Sequence, residues 1–273
     1  MNLDIKLDRP MHDFLPKEWK SEVNDKKLSY CPFRNLAHFK NYVSKITQKK
    51  DNMCNVSYAE ALDDLLKEKS QYSQQEYESV RNLVRQNLQK RGLISDEVYE
   101  RYKYNYEGVV VDIAELVTGN PECVLTPAYN YKNHFYELFV SISYPWHVEN
   151  KQVRETTIKL LATVEELERQ HIFIKITLVF ADRGVDGDGD LLMTIPLFSY
   201  KDFKSIETMS AVVNERLLRK FGFALLEDVY GKDLASGYGN ATQLTSALNI
   251  GDQLDEIQLF TDILNKIVVG GKR

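Results

Sequence analysis

The sequence lacks the marks of a membrane or secreted protein. No apolar run is long enough to cross a bilayer, and the first ten residues, MNLDIKLDRP, have no apolar signal-peptide core. The three cysteines, Cys31, Cys54 and Cys123, are too widely spaced for a metal-binding or redox motif. Isolated thiols in odd number are typical of a reducing compartment. We therefore expect a cytosolic protein whose cysteines are free thiols.

Catalytic motifs are also lacking. No glycine-rich phosphate loop and no nucleophile elbow follows a strand-like segment, and no Ser/His/Asp or Cys/His set can be recognised. The five histidines show no metal-ligand spacing: His12, His38, His134, His147 and His171. Enzyme activity therefore has no positive support, and a divalent-metal enzyme is only a third hypothesis.

The net charge of -5 argues against a protein that holds duplex DNA by bulk charge, although local basic patches remain compatible with it. The length of 273 residues permits one large domain, or a core with a smaller helical partner. We predict two parts. Residues 1–107 form an N-terminal arm and helical region, and residues 108–273 form an α/β core with a C-terminal helix.

A strand, a helix and a strand follow one another between Phe135 and Asp182. Residues 135–144, FYELFVSISY, are rich in aromatic and β-branched side chains, and residues 172–180, IFIKITLVF, are apolar at nearly every position. Between them, apolar residues follow the helical period, and Asn150 can cap the helix. Such a βαβ unit implies two parallel strands, so we expect an α/β fold.

The flanking segments have their own signals. Two capping boxes predict two helices in the N-terminal region, Ser57 with Glu60 and Ser73 with Glu76. After the central unit, residues 191–198 predict a strand in which Pro196 favours an edge position or a bulge. Residues 231–251 are rich in Gly, Ser, Asn and Thr, which indicates a long connection of the kind that is commonly functional.

Four aspartates form the densest group of carboxylates: Asp182, Asp186, Asp188 and Asp190. Carboxylates at alternate positions of a glycine-rich loop can gather around Ca²⁺ or Mg²⁺. The pattern departs from an EF-hand, because Leu191 replaces the turn glycine and Leu197 replaces the bidentate glutamate. Asp-Gly pairs also suit a plain connection between strands. A divalent-cation site and a solvated turn therefore both remain open.

Trp146 and His147 lie just after the first strand of the βαβ unit. Open α/β sheets bind ligands beyond the carboxyl ends of their strands, so this turn is the favoured position for a ligand. Arg154, on the central helix, can hold a phosphate or an acidic partner, or it can form an ion pair.

A tyrosine-rich segment follows the helical region. Its tyrosine rings can stack on bases, and its arginine and lysine can contact phosphates: Tyr99, Arg101, Tyr102, Lys103 and Tyr104. Tyrosines also pack the seam between two subdomains while their hydroxyls stay in water. Both interpretations remain open.

The order of a strand, a helix with Arg154 near its start, and a strand resembles the von Willebrand factor A (vWA) domain. That domain binds Mg²⁺ through Asp-x-Ser-x-Ser at the end of its first strand. In residues 139–143, FVSIS, both serines are present as Ser141 and Ser143, and Phe139 replaces the aspartate. A hard cation needs that carboxylate. The resemblance implies a Rossmann-like, parallel-containing sheet flanked by helices, without the metal site.

Separated segments between about residues 30 and 240 resemble an uncharacterised family encoded by tailed bacteriophages. The matching segments include residues 111–123, residues 154–168, residues 217–223 and residues 237–239. The resemblance implies a viral protein in the host cytoplasm and carries over no activity.

The leading hypothesis is a non-enzymatic phage interaction or assembly protein that needs no cofactor and binds a protein of phage or host origin. Its contact surface involves Trp146, His147 and the connection over residues 231–251. The alternative is a single-stranded nucleic-acid-binding protein that acts in phage replication or transcription through the tyrosine-rich segment.

A gel shift with labelled single-stranded DNA separates these two hypotheses. Under the alternative, binding weakens steeply from low to moderate salt because counterions are released. Replacing Tyr102 and Tyr104 by Ala then costs about 1–3 kcal/mol for each base that loses its stacking. Under the leading hypothesis, no shift is expected even at low salt.

Overall fold

A computed structural model describes most of the chain. The described residues are 28–46, 57–69, 72–94, 102–105, 110–111, 113–119, 123–127, 134–145, 147–183, 190–213, 217–230, 240–241, 244, 246–252 and 254–269. They contain both strands and the helix of the central βαβ unit. Seven of the residues named above lie outside them: His12, Cys54, Tyr99, Arg101, Trp146, Asp186 and Asp188.

The described residues form ten strands in two sheets. In chain order the strands are β1 (Leu28–Pro32), β2 (Tyr102–Asn105), β3 (Val110–Val111), β4 (Val124–Pro127), β5 (His134–Ser141), β6 (Ile172–Arg183), β7 (Asp190–Phe198), β8 (Asn240–Ala241), β9 (Leu248–Asn249) and β10 (Val268–Val269). The main sheet has the order β1-β7-β6-β5-β10, with β8 attached to β6 and β9 attached to β5. The small sheet has the order β2-β4-β3.

The described residues contain eight α-helices, several of which flank the main sheet. They are α1 (Leu36–Val43), α2 (Tyr58–Leu66), α3 (Gln74–Lys90), α4 (Ile113–Val117), α5 (Asn150–Arg169), α6 (Ile206–Val212), α7 (Phe223–Tyr230) and α8 (Glu256–Lys266). A π-helical turn, Leu217–Gly222, leads directly into α7. Across the described residues, no helix combines the length and the apolar character that a membrane span requires.

The central βαβ unit is the parallel pair that the sequence predicts. β5 and β6 pair in parallel from His134 opposite Ile172 to Ser141 opposite Val179, and α5 connects them. Alternate strand residues and the apolar stripe of α5 are buried in one core: Leu138, Val140, Ile174, Ile176, Leu178, Val153, Leu160, Leu161, Val164 and Leu167. The predicted α/β class is therefore confirmed.

The main sheet is mixed. β1 pairs in parallel with β7, whereas β7 pairs antiparallel with β6. β7 thus lies inside the sheet from Asp190 to Thr194, where its pairing with β1 ends, and Pro196 lies beyond the end of β1 at a local edge of β7. The register between β6 and β7 shifts between Ile176 and Thr177, and Thr177 is the partner of Pro196. The expected bulge is confirmed, because the residue without an N–H lies at an irregularity of the ladder.

The N-terminal helices begin where the capping boxes predict. The Ser57 side chain accepts a hydrogen bond from the N–H of Glu60, whose carboxylate accepts one from the N–H of Ser57 at 3.0 Å. The Ser73 hydroxyl accepts a hydrogen bond from the N–H of Glu76 at 3.1 Å. Each hydroxyl satisfies one of the N–H groups that a helix start leaves without a partner.

The N-terminal region contacts the core at several places; for example, the Tyr58 ring packs against Phe221 and the Tyr42 hydroxyl donates a hydrogen bond to Asp228. β1 belongs to the main sheet, and α3 packs against α5. At that seam the Tyr77 hydroxyl donates a hydrogen bond to Glu165 at 2.6 Å, and Arg81 Nε lies 2.8 Å from the same carboxylate. These contacts join residues on both sides of position 107, and the domain boundary proposed there stays a prediction.

Cys31 and Cys123 are buried free thiols, as expected. Burial raises the pKa of Cys31 to about 12, and the charge of Asp228 raises it further in the same direction. The thiol is therefore protonated at neutral pH and belongs to the core.

Lys204 fastens the loop after β7 to the carboxyl end of α5. The residue is 3% exposed. Its ammonium lies 2.6 Å from Glu168 Oε1 and donates hydrogen bonds to the carbonyls of Ser199 and Asp202, each at 3.1 Å. Burial raises the pKa of Glu168, although the Lys204 charge opposes this shift. The loop conformation therefore depends on a desolvated ion pair.

Lys204→Ala is expected to lower the free energy of unfolding by about 3 kcal/mol, because it leaves Glu168 largely desolvated without its cation. Denaturant unfolding followed by circular dichroism measures the change. Lys201→Ala, an exposed lysine of the same loop, serves as the control and should change little. Equal stability of the two variants would contradict the structural role of Lys204.

Candidate binding site at the end of strand β5

The carboxyl end of β5 lies at the position where open α/β sheets bind ligands. β6 flanks β5 on one side. The short strand β9 flanks it on the other, with Leu248 opposite Val140 and Asn249 opposite Ser141. Residues 142–149 then lead from β5 to the start of α5. Backbone from three strands and one helix therefore surrounds this position.

The serine pair, Ser141 and Ser143, is buried at this end of the strand, at 0% and 1% exposure. The Ser143 hydroxyl accepts a hydrogen bond from the N–H of Ala181 at 2.7 Å, and the Ser141 hydroxyl accepts one from the N–H of Ser143 at 3.3 Å. The N–H of Ile142 still donates to the carbonyl of Val179 at 2.8 Å. The Ser143 side chain thus extends the contact between β5 and β6 past the last backbone hydrogen bond.

The aspartate loop is only partly described. Asp182 is 4% exposed and lies in the sheet, opposite Leu191 on β7 and Ala241 on β8. Asp190 is the first residue of β7. Within the described ranges, no group of three His, Cys, Asp or Glu side chains could hold a metal ion. A divalent-cation site in this loop stays a prediction, because two of its four aspartates lie outside those ranges.

The start of α5 differs from the sequence prediction. Glu149 is the N-cap residue instead of Asn150, and its side chain makes no capping hydrogen bond. His147, two residues earlier, is exposed. The turn after β5 therefore presents polar side chains to solvent beside the first turn of a long helix.

The segment after β9 is held against α5. The Gln152 side chain donates a hydrogen bond to the carbonyl of Gly251, and the Thr156 hydroxyl donates one to the carbonyl of Asp252 at 3.2 Å. Only glycine fits at position 251, because a Cβ atom there would lie 2.6 Å from the Cβ of Tyr144. The end of the Gly/Ser-rich connection is thus fixed beside the turn after β5.

Arg154 makes its contacts inside the protein. Its guanidinium bonds to the carboxylate of Glu76 and lies over the ring of Tyr72, 4.8 Å from the ring centre. Burial raises the pKa of Tyr72 to about 12, with hydrogen bonding to Thr157 and the charge of Arg154 acting against the rise. The ion-pair interpretation of Arg154 is therefore observed, and a role in binding a ligand stays a prediction.

The tyrosine-rich segment lies in the small sheet. Tyr102, Lys103 and Tyr104 are consecutive residues of β2, opposite Pro127, Thr126 and Leu125 of β4. The structure thus places this part of the alternative nucleic-acid surface on a strand, in a different sheet from the serine pair. The nucleic-acid role of the segment stays a prediction.

Several buried polar residues escape sequence reasoning. Ser246 Oγ and Asn249 Oδ1 are buried without a hydrogen-bond partner among the described residues, close to the position where β9 meets β5. Lys220 and Glu227, on the π-helical turn and α7, are 3% and 4% exposed. Such burial depends on packing between elements that are distant in the sequence. The Gly and Ser content of residues 231–251 is the only sequence signal near Asn249.

Comparison with protein families gives one match. The model of the family described as domain of unknown function (DUF7192) matches residues 20–264. The chain belongs to this family. The match spans the N-terminal helices and most of the main sheet. No curated protein and no solved structure matches the chain.

Ser143→Ala is expected to lower the free energy of unfolding by about 1–3 kcal/mol, because the buried N–H of Ala181 loses its acceptor. Thermal unfolding with and without Mg²⁺ measures the effect, and Mg²⁺ should leave the Tm of both proteins unchanged. Ser79→Ala, at an exposed position of α3, is the control. A Mg²⁺-dependent rise of Tm that Ser143→Ala abolishes would show that the serine pair binds a cation.

Proposed function

We propose that this DUF7192 protein is a non-enzymatic interaction or assembly module. Its core is a metal-free variant of the vWA fold, and it is a phage protein that acts in the host cytoplasm. The observation that carries the proposal is the use of both motif serines as acceptors for backbone N–H groups, together with Phe139 in place of the motif's carboxylate. Because both hydroxyls accept hydrogen bonds from the protein's own backbone, they support a rigid binding surface.

The vWA-like part of the proposal is supported by the parallel pairing of β5 and β6 around α5 and by the position of the serines at the carboxyl end of β5. The phage origin is supported by the resemblance of separated sequence segments. The first support comes from the structure and the second from the sequence, so an experiment can contradict one part of the proposal and leave the other.

The partner surface of the proposal consists of the turn after β5 and the segment that follows β9. His147 is exposed there, and hydrogen bonds from Gln152 and Thr156 hold the neighbouring backbone in place. A surface fixed before binding loses little conformational entropy when a partner docks.

Exposed apolar side chains near α4 also favour a protein partner. Between Val111 and Val117, four large apolar side chains are 48–80% exposed: Val111, Ile113, Leu116 and Val117. Contiguous exposed apolar surface is typical of interaction sites.

A pull-down from infected cells tests the proposal. The wild-type protein should retain a specific protein partner. His147→Glu should weaken its retention at least about tenfold, which corresponds to about 1.4 kcal/mol. Lys201→Glu is the control, because Lys201 is an exposed residue of the loop after β7. This variant should retain the partner normally. Recovery of no partner, or equal loss in both variants, would contradict the proposal.

A further inference from the structure

The seam between α3 and α5 places two arginines around one buried carboxylate. Glu166 is 2% exposed, and its Oε1 has no hydrogen-bond partner. Arg85 Nε lies 3.9 Å from Glu166 Oε2, and Arg169 Nη1 lies 3.7 Å from Glu166 Oε1. Both distances are longer than a hydrogen bond. The carboxylate therefore attracts both guanidiniums without occupying their donors.

Arg85 and Arg169 consequently keep their full donor capacity. A guanidinium carries five N–H donors in a rigid fork, and neither of these two donates a hydrogen bond within the part of the chain that the structure describes. Their side chains are 36% and 33% exposed, so the donors are accessible from solvent. Two cations beside one anion leave a local net charge of +1.

The neighbouring pair on the same seam has a different geometry. Arg81 lies one helical turn before Arg85, and its Nε is 2.8 Å from Glu165, which also accepts the Tyr77 hydroxyl at 2.6 Å. Residues of the same types thus form a closed pair there. Arg85 and Arg169 lie farther from Glu166, at 3.9 and 3.7 Å, than Arg81 lies from Glu165, at 2.8 Å.

We propose that Arg85 and Arg169 bind a phosphate group, as free phosphate or as a phosphate monoester. The oxygens of a tetrahedral oxyanion match the forked donors of two guanidiniums that both lie within 4 Å of one carboxylate. Glu166 is the positioning residue. A local charge of +1 suits a single phosphate group better than a nucleic-acid strand, whose binding requires several cations. The site lies on helices α3 and α5 and is independent of the surface proposed for a protein partner.

Thermal unfolding tests the site. Inorganic phosphate should raise the Tm by roughly 2–4 °C over chloride at the same ionic strength, because the ligand binds only the folded state. Isothermal titration calorimetry with inorganic phosphate and with phosphoserine then compares the free anion with a monoester. Tighter binding of phosphoserine assigns the site to monoesters, and tighter binding of inorganic phosphate assigns it to the free anion.

Conservative variants identify the residues. Arg85→Lys keeps a cation beside Glu166, so the protein should fold, but it loses the fork and should weaken phosphate binding at least about tenfold. Arg169→Lys is the second variant, which replaces Arg85→Lys in the test if the latter does not fold. Arg91→Lys makes the same substitution at an exposed position after α3 and should bind phosphate normally. Equal Tm shifts in phosphate and chloride, or wild-type binding by both Arg85→Lys and Arg169→Lys, would overturn the proposal.

Discussion

The parallel pairing of β5 and β6 beneath α5 is the constraint on which the rest of the structure depends. Because both strands run in the same direction, their carboxyl ends meet at one edge of the sheet, where the chain must turn into α5. Ser143 lies at that turn and accepts the N–H of Ala181, so the two strands stay joined beyond their last backbone hydrogen bond. The same geometry explains why the motif serines are buried in the sheet.

α5 contacts its neighbouring elements through polar side chains on both flanks as well as through its apolar stripe. On one flank, Arg154 contacts Glu76 and Tyr72 of the N-terminal region. On the other, Gln152 and Thr156 bind the carbonyls of the segment after β9. Arg154, Gln152 and Thr156 therefore hold neighbouring elements in place. Arg85 and Arg169 differ from these side chains, because their N–H donors are accessible from solvent.

Local signals predicted local structure well. Ser57 and Ser73 cap helices as their spacing indicates, and the apolar run over residues 172–180 is a buried strand. The predictions that failed depend on distant partners. β1 was not predicted, because residues 28–32 become a strand only by pairing with β7.

The sequence by itself determined the α/β class and the βαβ unit, because these follow from residue types and short-range periodicity. Tertiary structure alone decided that Ser141 and Ser143 serve as backbone acceptors, that Arg154 is bound to α3, and that Arg85 and Arg169 share one carboxylate. The contacts of Ser143 with Ala181, of Arg154 with Glu76 and of Arg85 with Glu166 join residues on different elements. Their distances are set by how the elements pack, and no spacing along the chain encodes them.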